Sequence, residues 1–165
     1  MERLSVAGDV RPERTKKLSI AEATGALVDD PAGQRILRIP SHNYRFFIYR
    51  RDGAFLGTVP GPSQIRAPQE DPTTGAVMPN ASDEVYNVVR LPSNEFAAQV
   101  IRRDVDGSAE GAIDVLDGNL RAETTGIPIS EGYGLLAGAS GDGSLYFTGF
   151  GPWGMLIIKA RIVRQ

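Results

Sequence analysis

The C-terminal stretch of the chain, residues 127–165, limits the possible folds more than any other part. It is dense in glycine and apolar residues and nearly uncharged before Lys159. Its closing run reads Met155-Leu156-Ile157-Ile158-Lys159-Ala160-Arg161-Ile162-Val163. A continuous apolar run is typical of a strand covered on both faces, and the alternation at the end of this run indicates a half-buried strand. The sequence therefore predicts β structure with the closing strand packed into the protein.

Turn residues divide the rest of the chain into short apolar runs. Asp-Gly turns at 51–53 and 117–119 each separate two runs that favour strands, which is the strongest local signal for a β-hairpin. The other strand candidates are 34–39, 84–91, 96–103, 133–137 and 144–148. Helix propensity also allows a helix over 94–103. Short runs with this spacing predict an all-β fold, either a β-sandwich of jelly-roll-like type or a barrel.

Two segments lack this pattern. Residues 1–17 are polar, and the segment 60–79 contains Pro60, Pro62, Pro68 and Pro72. A loop of about twenty residues is uncommon inside a compact domain. We predict an extended N-terminal arm over 1–17, followed by a single β-rich domain over 18–165 that carries a long proline-rich loop.

The residue types that are rare or missing exclude several classes of function. The chain has one histidine and no cysteine, which removes cysteine nucleophiles, cysteine-based zinc sites and iron–sulfur clusters. Its formal net charge of −2 is too small to indicate a nucleic-acid partner. No apolar run approaches the roughly 20 residues of a membrane helix, and the first ten residues lack the apolar core of a signal peptide. We predict a protein that is not an enzyme, uses no cofactor, and has neither nucleic-acid nor membrane partners.

One glycine-rich motif has the spacing of a nucleotide-binding loop. Residues 149–154 read G-F-G-P-W-G, which matches G-x-G-x-x-G. The nucleotide-binding motif needs a helix after it, whereas the residues that follow favour a strand. We interpret the motif as a glycine corner with Phe150 and Trp153 packed beside it, and predict that Trp153 packs against the body of the protein.

Two further classes of function remain as alternatives. A hydrolase or a calcium site would draw on Asp104, Asp106, Asp114 and Asp117, and His42 is the one histidine available for catalysis. The acids do not match the ligand positions of an EF-hand loop. A carbohydrate- or small-molecule-binding β-sandwich module would instead use a stacking surface made of Tyr133, Tyr146, Phe150 and Trp153.

A third class, a structural protein, is favoured by the near absence of reactive side chains and by the long arm and the proline-rich loop. The arm carries Arg3, Arg11 and Arg14, whose forked guanidinium groups suit carboxylates, while residues 104–142 are acidic with Arg121 as their one cation. We predict a non-enzymatic subunit of a larger assembly, a homo-oligomer that contacts other copies or a shell protein. The predicted setting is a virion of phage type, where the chain acts as a capsid decoration or cement protein. The predicted interface consists of Arg3, Arg11, Arg14, Pro60, Pro62, Pro68 and Pro72.

Overall fold

Strands form wherever short apolar runs alternate with turns. The structure is a computed structural model that describes residues 25–41, 44–62, 73, 83–103, 108–130, 132–152 and 154–163. Within these residues there is no helix, and the strands are β1 (Ala26–Asp30), β2 (Arg35–Ile39), β3 (Arg45–Arg50), β4 (Phe55–Pro60), β5 (Asp83–Arg90), β6 (Phe96–Arg103), β7 (Ala109–Leu116), β8 (Ala122–Pro128), β9 (Leu136–Ala139), β10 (Leu145–Gly151) and β11 (Gly154–Ala160). The predicted all-β fold is confirmed.

Both predicted Asp-Gly hairpins are present. Between β3 and β4, Gly53 adopts a φ of 89°, and the Asp52 carboxylate accepts a hydrogen bond of 2.9 Å from the amide of Ala54. Between β7 and β8, the Asp117 carboxylate accepts bonds of 2.8 Å from the amides of Asn119 and Arg121. Each aspartate thus closes its turn through its own side chain, which is the reason for its preference at these positions.

The strands form three antiparallel sheets. Strands β1 to β4 form what we call the front sheet, β5 to β8 the central sheet, and β11-β10-β9, in that order, the back sheet. Neighbouring strands in each sheet are consecutive in sequence and antiparallel, so each sheet is a meander. The arrangement is sandwich-like, as predicted, with one layer more than a simple sandwich.

Two hydrophobic cores hold the three layers together. One lies between the front and central sheets and includes Leu37 and Phe46 opposite Phe96. The other lies between the central and back sheets and includes Ile113 opposite Leu145 and Phe147. The central sheet is therefore covered on both faces and contributes side chains to both cores.

Strand β6 shows the double coverage most clearly. Phe96, Ala98 and Val100 face the front sheet, whereas Ala97 and Gln99 face the back sheet, and all five are buried. The helix allowed by propensity over 94–103 is wrong, because this segment is paired on both sides, with β5 and with β7. Non-local pairing therefore overrides the weak local preference of its alanines.

The end of the closing run is half-buried, as its alternation predicts, but the prediction that its apolar start is covered on both faces is wrong. Met155, Leu156 and Ile157 of β11 are exposed. The strand lies at the free edge of the back sheet, so that only Ile158, Ala160 and the following Ile162 pack against the core. In the part of the chain that the structure describes, no further sheet lies on the far side of this strand to cover it.

Several predictions fall outside the described residues. The arm, residues 1–17, lies outside them, and so does the side chain of Trp153 with its predicted packing. Of the proline-rich segment, residues 60–62 and Thr73 are described. The single-domain organisation stays a prediction.

Candidate interaction surface

The hairpin of β10 and β11 presents one face to the core and the other to solvent. Leu145 and Phe147 point into the core. Tyr146, Thr148 and Phe150 alternate with them and so point the opposite way. In the register of the hairpin they lie opposite Lys159, Ile157 and Met155, respectively. We call the surface formed by these six residues the outer face.

The outer face is exposed and largely apolar. Phe150 is 86% exposed, Ile157 74% and Met155 68%. No charged residue occurs between Asp142 and Lys159 in the sequence. Contiguous exposed apolar surface on a soluble protein marks an interaction site more often than it marks plain surface. The outer face is therefore the first candidate for a functional surface.

An apolar groove adjoins the outer face. It has a volume of about 490 Å³, and its walls include Ile101 and Ile129 from the central sheet side and Leu135, Phe150 and Met155 from the back sheet side. The groove is thus continuous with the outer face through Phe150 and Met155. Together they form one apolar surface across the end of two layers.

Two polar side chains of the groove, those of Gln99 and Thr148, are hydrogen-bonded within the protein. Gln99 donates to the carbonyl of Gly134 at 2.8 Å and accepts from the amide of Leu136 at 2.7 Å. The Thr148 hydroxyl donates to the carbonyl of Leu135 at 3.3 Å. Gly134 makes this close approach possible, since a Cβ there would lie 2.0 Å from the Thr148 carbonyl oxygen. The groove consequently offers an occupant mainly apolar contact.

Of the aromatic residues that were predicted to form a stacking surface, three are described, and they lie in the groove or on the outer face. Tyr133 packs edge-on against Phe147 with ring centroids 5.0 Å apart, and it lines the groove together with Phe150. Tyr146 lies on the outer face, where the Lys159 ammonium sits 5.8 Å from its ring centroid. The predicted packing of Phe150 beside a glycine corner is wrong, because its ring stands in solvent.

The groove also contains an aromatic residue that the sequence did not single out. Tyr86 lines it from β5, at a point where the pairing of β5 with β6 shifts register between Val85 and Asn87. An irregularity of this kind re-aims a side chain. No sequence pattern around Tyr86 predicts that this residue lines a groove, so only the tertiary structure places it there.

The acidic residues proposed for a hydrolase or a calcium site have structural roles where they are described. The buried Asp114 carboxylate accepts 2.7 Å and 3.0 Å bonds from Arg102 and a 2.8 Å bond from the Gly126 amide. Asp117 closes its turn, as described above. Asp104, Asp106 and His42 lie outside the described residues. Within the described part of the chain, no three His, Cys, Asp or Glu side chains are grouped so that they could hold a metal ion.

A small polar recess lies at the other side of the back sheet. It has a volume of about 290 Å³ and is lined by Glu95, Asp142 and Arg161, among others. The hydrogen bond from the Ser140 hydroxyl, followed by bonds from Ser144 and Arg161, lowers the pKa of Asp142 well below its usual range. Asp142 also lies 3.4 Å from the ammonium of Lys159. These contacts fix the turn between β9 and β10 to the end of β11.

The predicted interface residues are only partly described. Pro60 ends β4 in an exposed position, and Pro62 follows it half-buried. The amide of Gly61 between them donates to the carbonyl of Tyr44 at 2.8 Å, which ties this turn to β3. Arg3, Arg11, Arg14, Pro68 and Pro72 lie outside the described residues. Of the two that are described, neither Pro60 nor Pro62 belongs to the outer face.

The glycine motif belongs to the β10–β11 hairpin. Gly151 pairs with Gly154, so the motif connects two adjacent antiparallel strands. A phosphate-binding loop of the dinucleotide type leads into a helix. The nucleotide alternative is therefore wrong, and the glycine-rich segment is a tight hairpin turn.

In the described residues there is no helix long and apolar enough to cross a membrane. Comparison with known proteins found no protein-family model, no curated protein and no solved structure that this chain matches.

Proposed function

We propose that this chain is a non-enzymatic structural protein that works as a subunit of a larger assembly and docks onto its neighbours through the outer face and the adjoining groove. The observation that carries the proposal is the exposure of Phe150, Met155 and Ile157 on a hairpin whose one charged residue is Lys159. Burying such apolar surface against a partner is favourable by about 25 cal/mol per Å².

The composition of the surface supports a protein partner. Interface cores are depleted in charged residues and enriched in aromatic residues and methionine. The outer face combines Phe150, Tyr146 and Met155 with a single cation, Lys159, at one end. Since Lys159 already faces Asp142, the charge at the rim is balanced within the chain.

The proposed setting is a virion of phage type, in which the chain acts as a capsid decoration or cement protein. The proposed partners are other copies of the chain and a shell protein. A three-layered body with a doubly covered central sheet supports a mechanical role, because its strands are held from both faces. Neighbouring genes test this setting directly. We expect capsid and portal genes beside this one, and a neighbourhood of metabolic genes would contradict the virion.

A second candidate is a small-molecule-binding module. The groove favours it, because a volume of about 490 Å³ lies within the usual range for ligand sites. Tyr86, Tyr133 and Phe150 would supply aromatic contact. A thermal-shift screen tests this candidate with apolar, aromatic and sugar ligands. Stabilisation by a ligand that Phe150→Ser abolishes would favour the binding module over the assembly subunit.

The assembly proposal is tested with two double variants of equal design. Phe150→Ser/Ile157→Ser removes apolar surface from the outer face, whereas Leu27→Ser/Phe55→Ser removes exposed apolar residues from the front sheet. We expect both to fold, as measured by circular dichroism. Only the first should lose self-association in light scattering and co-sedimentation with particles from the source of the chain. A wild type that neither self-associates nor joins particles would overturn the proposal.

A further inference from the structure

Among the described residues, no strand pairs with the outer edge of β11, which we call its free edge, and the backbone groups along this edge lie at known positions. The amide of Thr148 donates to Leu135 at 2.8 Å, on the β9 side of β10. Thr148 lies directly opposite Ile157 in the β10–β11 pair. Residues directly opposite in an antiparallel pair exchange both hydrogen bonds or neither. Thr148 and Ile157 therefore form a non-bonded pair, and the N–H and C=O of Ile157 point away from β10, toward the free edge.

The alternation of the ladder extends this result along the strand. Met155 and Lys159 lie two residues from Ile157 on either side, so their N–H and C=O groups point to the same edge. The edge thus offers three consecutive donor–acceptor sets at a regular spacing. Such a row is a template for another strand.

The other edge strands of the front and central sheets are protected against such pairing. Strand β1 ends in Asp29 and Asp30, and β4 ends in Pro60. On the central sheet, β5 has its register shift at Tyr86 and β8 ends in Pro128. Acidic residues, prolines and bulges at an edge strand hinder its pairing with a strand of another molecule. Strand β11 has no charge, no proline and no register shift from Gly154 to Ile158.

We propose that β11 pairs in antiparallel fashion with β11 of a second copy of this chain, with Ile157 opposite Ile157. The pairing joins two back sheets into one continuous sheet across a two-fold axis. It deepens the function proposed above and rests on it, because it names a second copy as one occupant of the free edge.

The length of β11 and its charges together select this register. With Ile157 at the centre, Lys159 of each copy lies opposite the uncharged Met155 of the other, and Gly154 lies opposite Ala160. A shift of the centre to Ile158 leaves Gly154 and Met155 of each copy opposite residues beyond β11, and a shift to Lys159 also brings Lys159 opposite Lys159, which is unfavourable. A shift the other way runs the strand against the turn at Pro152. The central register alone pairs the whole strand and keeps the cations apart.

The same register makes the outer face continuous. Tyr146 and Lys159 of one copy lie in a row with Met155 and Phe150 of the second copy, because opposite residues share a face. The Lys159 ammonium, already 5.8 Å from the Tyr146 ring, sits beside apolar neighbours in this row. The pair therefore presents a wider apolar belt than either copy alone.

The natural absence of cysteine allows a direct test by disulfide cross-linking. In the proposed register the Cα atoms of the two Ile157 residues lie about 5.5 Å apart, within disulfide range. We expect Ile157→Cys to give covalent dimers under mild oxidation. Leu27→Cys is the matched control, since Leu27 is 73% exposed on an edge strand of the front sheet. Cross-linking of both variants to the same extent would overturn the proposal.

A mixing experiment tests the register. Two Met155 residues would lie about 13 Å apart, beyond the reach of a disulfide, whereas Met155 lies opposite Lys159. Met155→Cys alone should therefore form no disulfide-linked dimer, whereas a mixture of Met155→Cys with Lys159→Cys should form one. Efficient cross-linking of Met155→Cys with itself would overturn the antiparallel register.

A proline substitution tests the backbone directly. Ile157→Pro removes an N–H that faces the free edge, so the bond to β10 is not affected and the fold should persist. We expect it to abolish dimers in light scattering, while Ile157→Thr, which keeps the N–H, retains part of them. If Ile157→Pro dimerises like the wild type, the strand pairing is wrong. If that variant also still joins particles and Phe150→Ser/Ile157→Ser does not, the proposed function stands without the pairing.

Discussion

Strands β6 and β11 are both rich in apolar residues, yet they lie at opposite ends of the burial range. Strand β6 carries Ala97, Ala98 and the polar Gln99, and these residues are fully or almost fully buried. Strand β11 carries Met155, Leu156 and Ile157, and all three are exposed. The more hydrophobic strand is therefore the less buried one.

This difference shows that the position of a strand in its sheet, and of that sheet among the layers, determines how far the strand is buried. Strand β6 pairs on both edges and is covered on both faces by the front and back sheets. Among the described strands, β11 pairs with β10 alone, at the margin of an outer layer. Apolar content that exceeds what the fold itself buries is then available for a partner. The contrast between the two strands separates stability from assembly, and the predictions below test that separation.

The largest expected effect comes from matched truncations of two phenylalanines. Phe96→Ala in the doubly covered β6 should lower the free energy of unfolding by about 3–5 kcal/mol, because it leaves a cavity in the first core. Phe150→Ala on the outer face should change it by less than about 0.5 kcal/mol. Denaturant unfolding measures both. Equal losses would mean that the outer face is part of the folded core.

A second prediction concerns the polar residue inside β6. Gln99→Leu should lower the free energy of unfolding by about 1–3 kcal/mol, since the carbonyl of Gly134 and the amide of Leu136 lose their partner. It should also loosen the back sheet specifically, which hydrogen exchange at Leu136 would show. Unchanged protection there would contradict the role of Gln99 as the link between the central and back sheets.

The third prediction separates the outer face from the predicted basic arm. Association through apolar surface should be strengthened by sulfate, whereas association through arginine pairs is screened by salt. A chain that lacks residues 1–17 should therefore still associate, and sulfate should still strengthen that association. Ile157→Thr should weaken association by about tenfold, or ~1.4 kcal/mol, without changing the unfolding midpoint. Sedimentation in chloride and in sulfate measures both, and a chain that needs only the arm would show no loss for Ile157→Thr.

The smallest expected effect is the change in stability at low pH that is caused by protonation of Asp142. Because hydrogen bonds lower the pKa of Asp142 in the folded state below the ordinary value of about 3.9, the unfolded state binds this proton first. The resulting stabilisation is complete above about pH 4 and is lost as the pH falls toward the folded pKa. Asp142→Asn should therefore reduce stability slightly at neutral pH, with the difference from the wild type vanishing in strong acid. A difference that grows in acid would contradict the assignment.

The local part of the fold is predictable from the sequence. The hairpins at Asp52 and Asp117 follow from turn chemistry, and β5, β7 and β10 follow from short apolar runs close to the predicted bounds. Strand β1 has no counterpart among the predicted strands, because its acidic end resembles a turn. The burial of β6 and the exposure of β11 could not be predicted, since both depend on how sheets stack.

The candidate surface is predictable only in part. Tyr133 and Phe150 are singled out by their aromatic character, and the structure brings both to the groove. Tyr86 and Leu135 come from segments far apart in sequence, and their meeting is a product of layer packing. Asp114 and Asp117 became site candidates because they lie in a segment with many acidic residues. Their hydrogen bonds within the protein are those of structural residues.

The sequence by itself determined that this chain is all-β, where its tight turns fall, and that it lacks thiol chemistry. These properties depend on backbone preferences of a few neighbouring residues and on composition. The tertiary structure decided that the chain builds three layers, that β6 is covered twice, and that the apolar β11 lies at a free edge. Alternation and hydrophobicity specify that a strand has something to bury, but only the stacking of non-local sheets determines whether the protein itself supplies the covering surface.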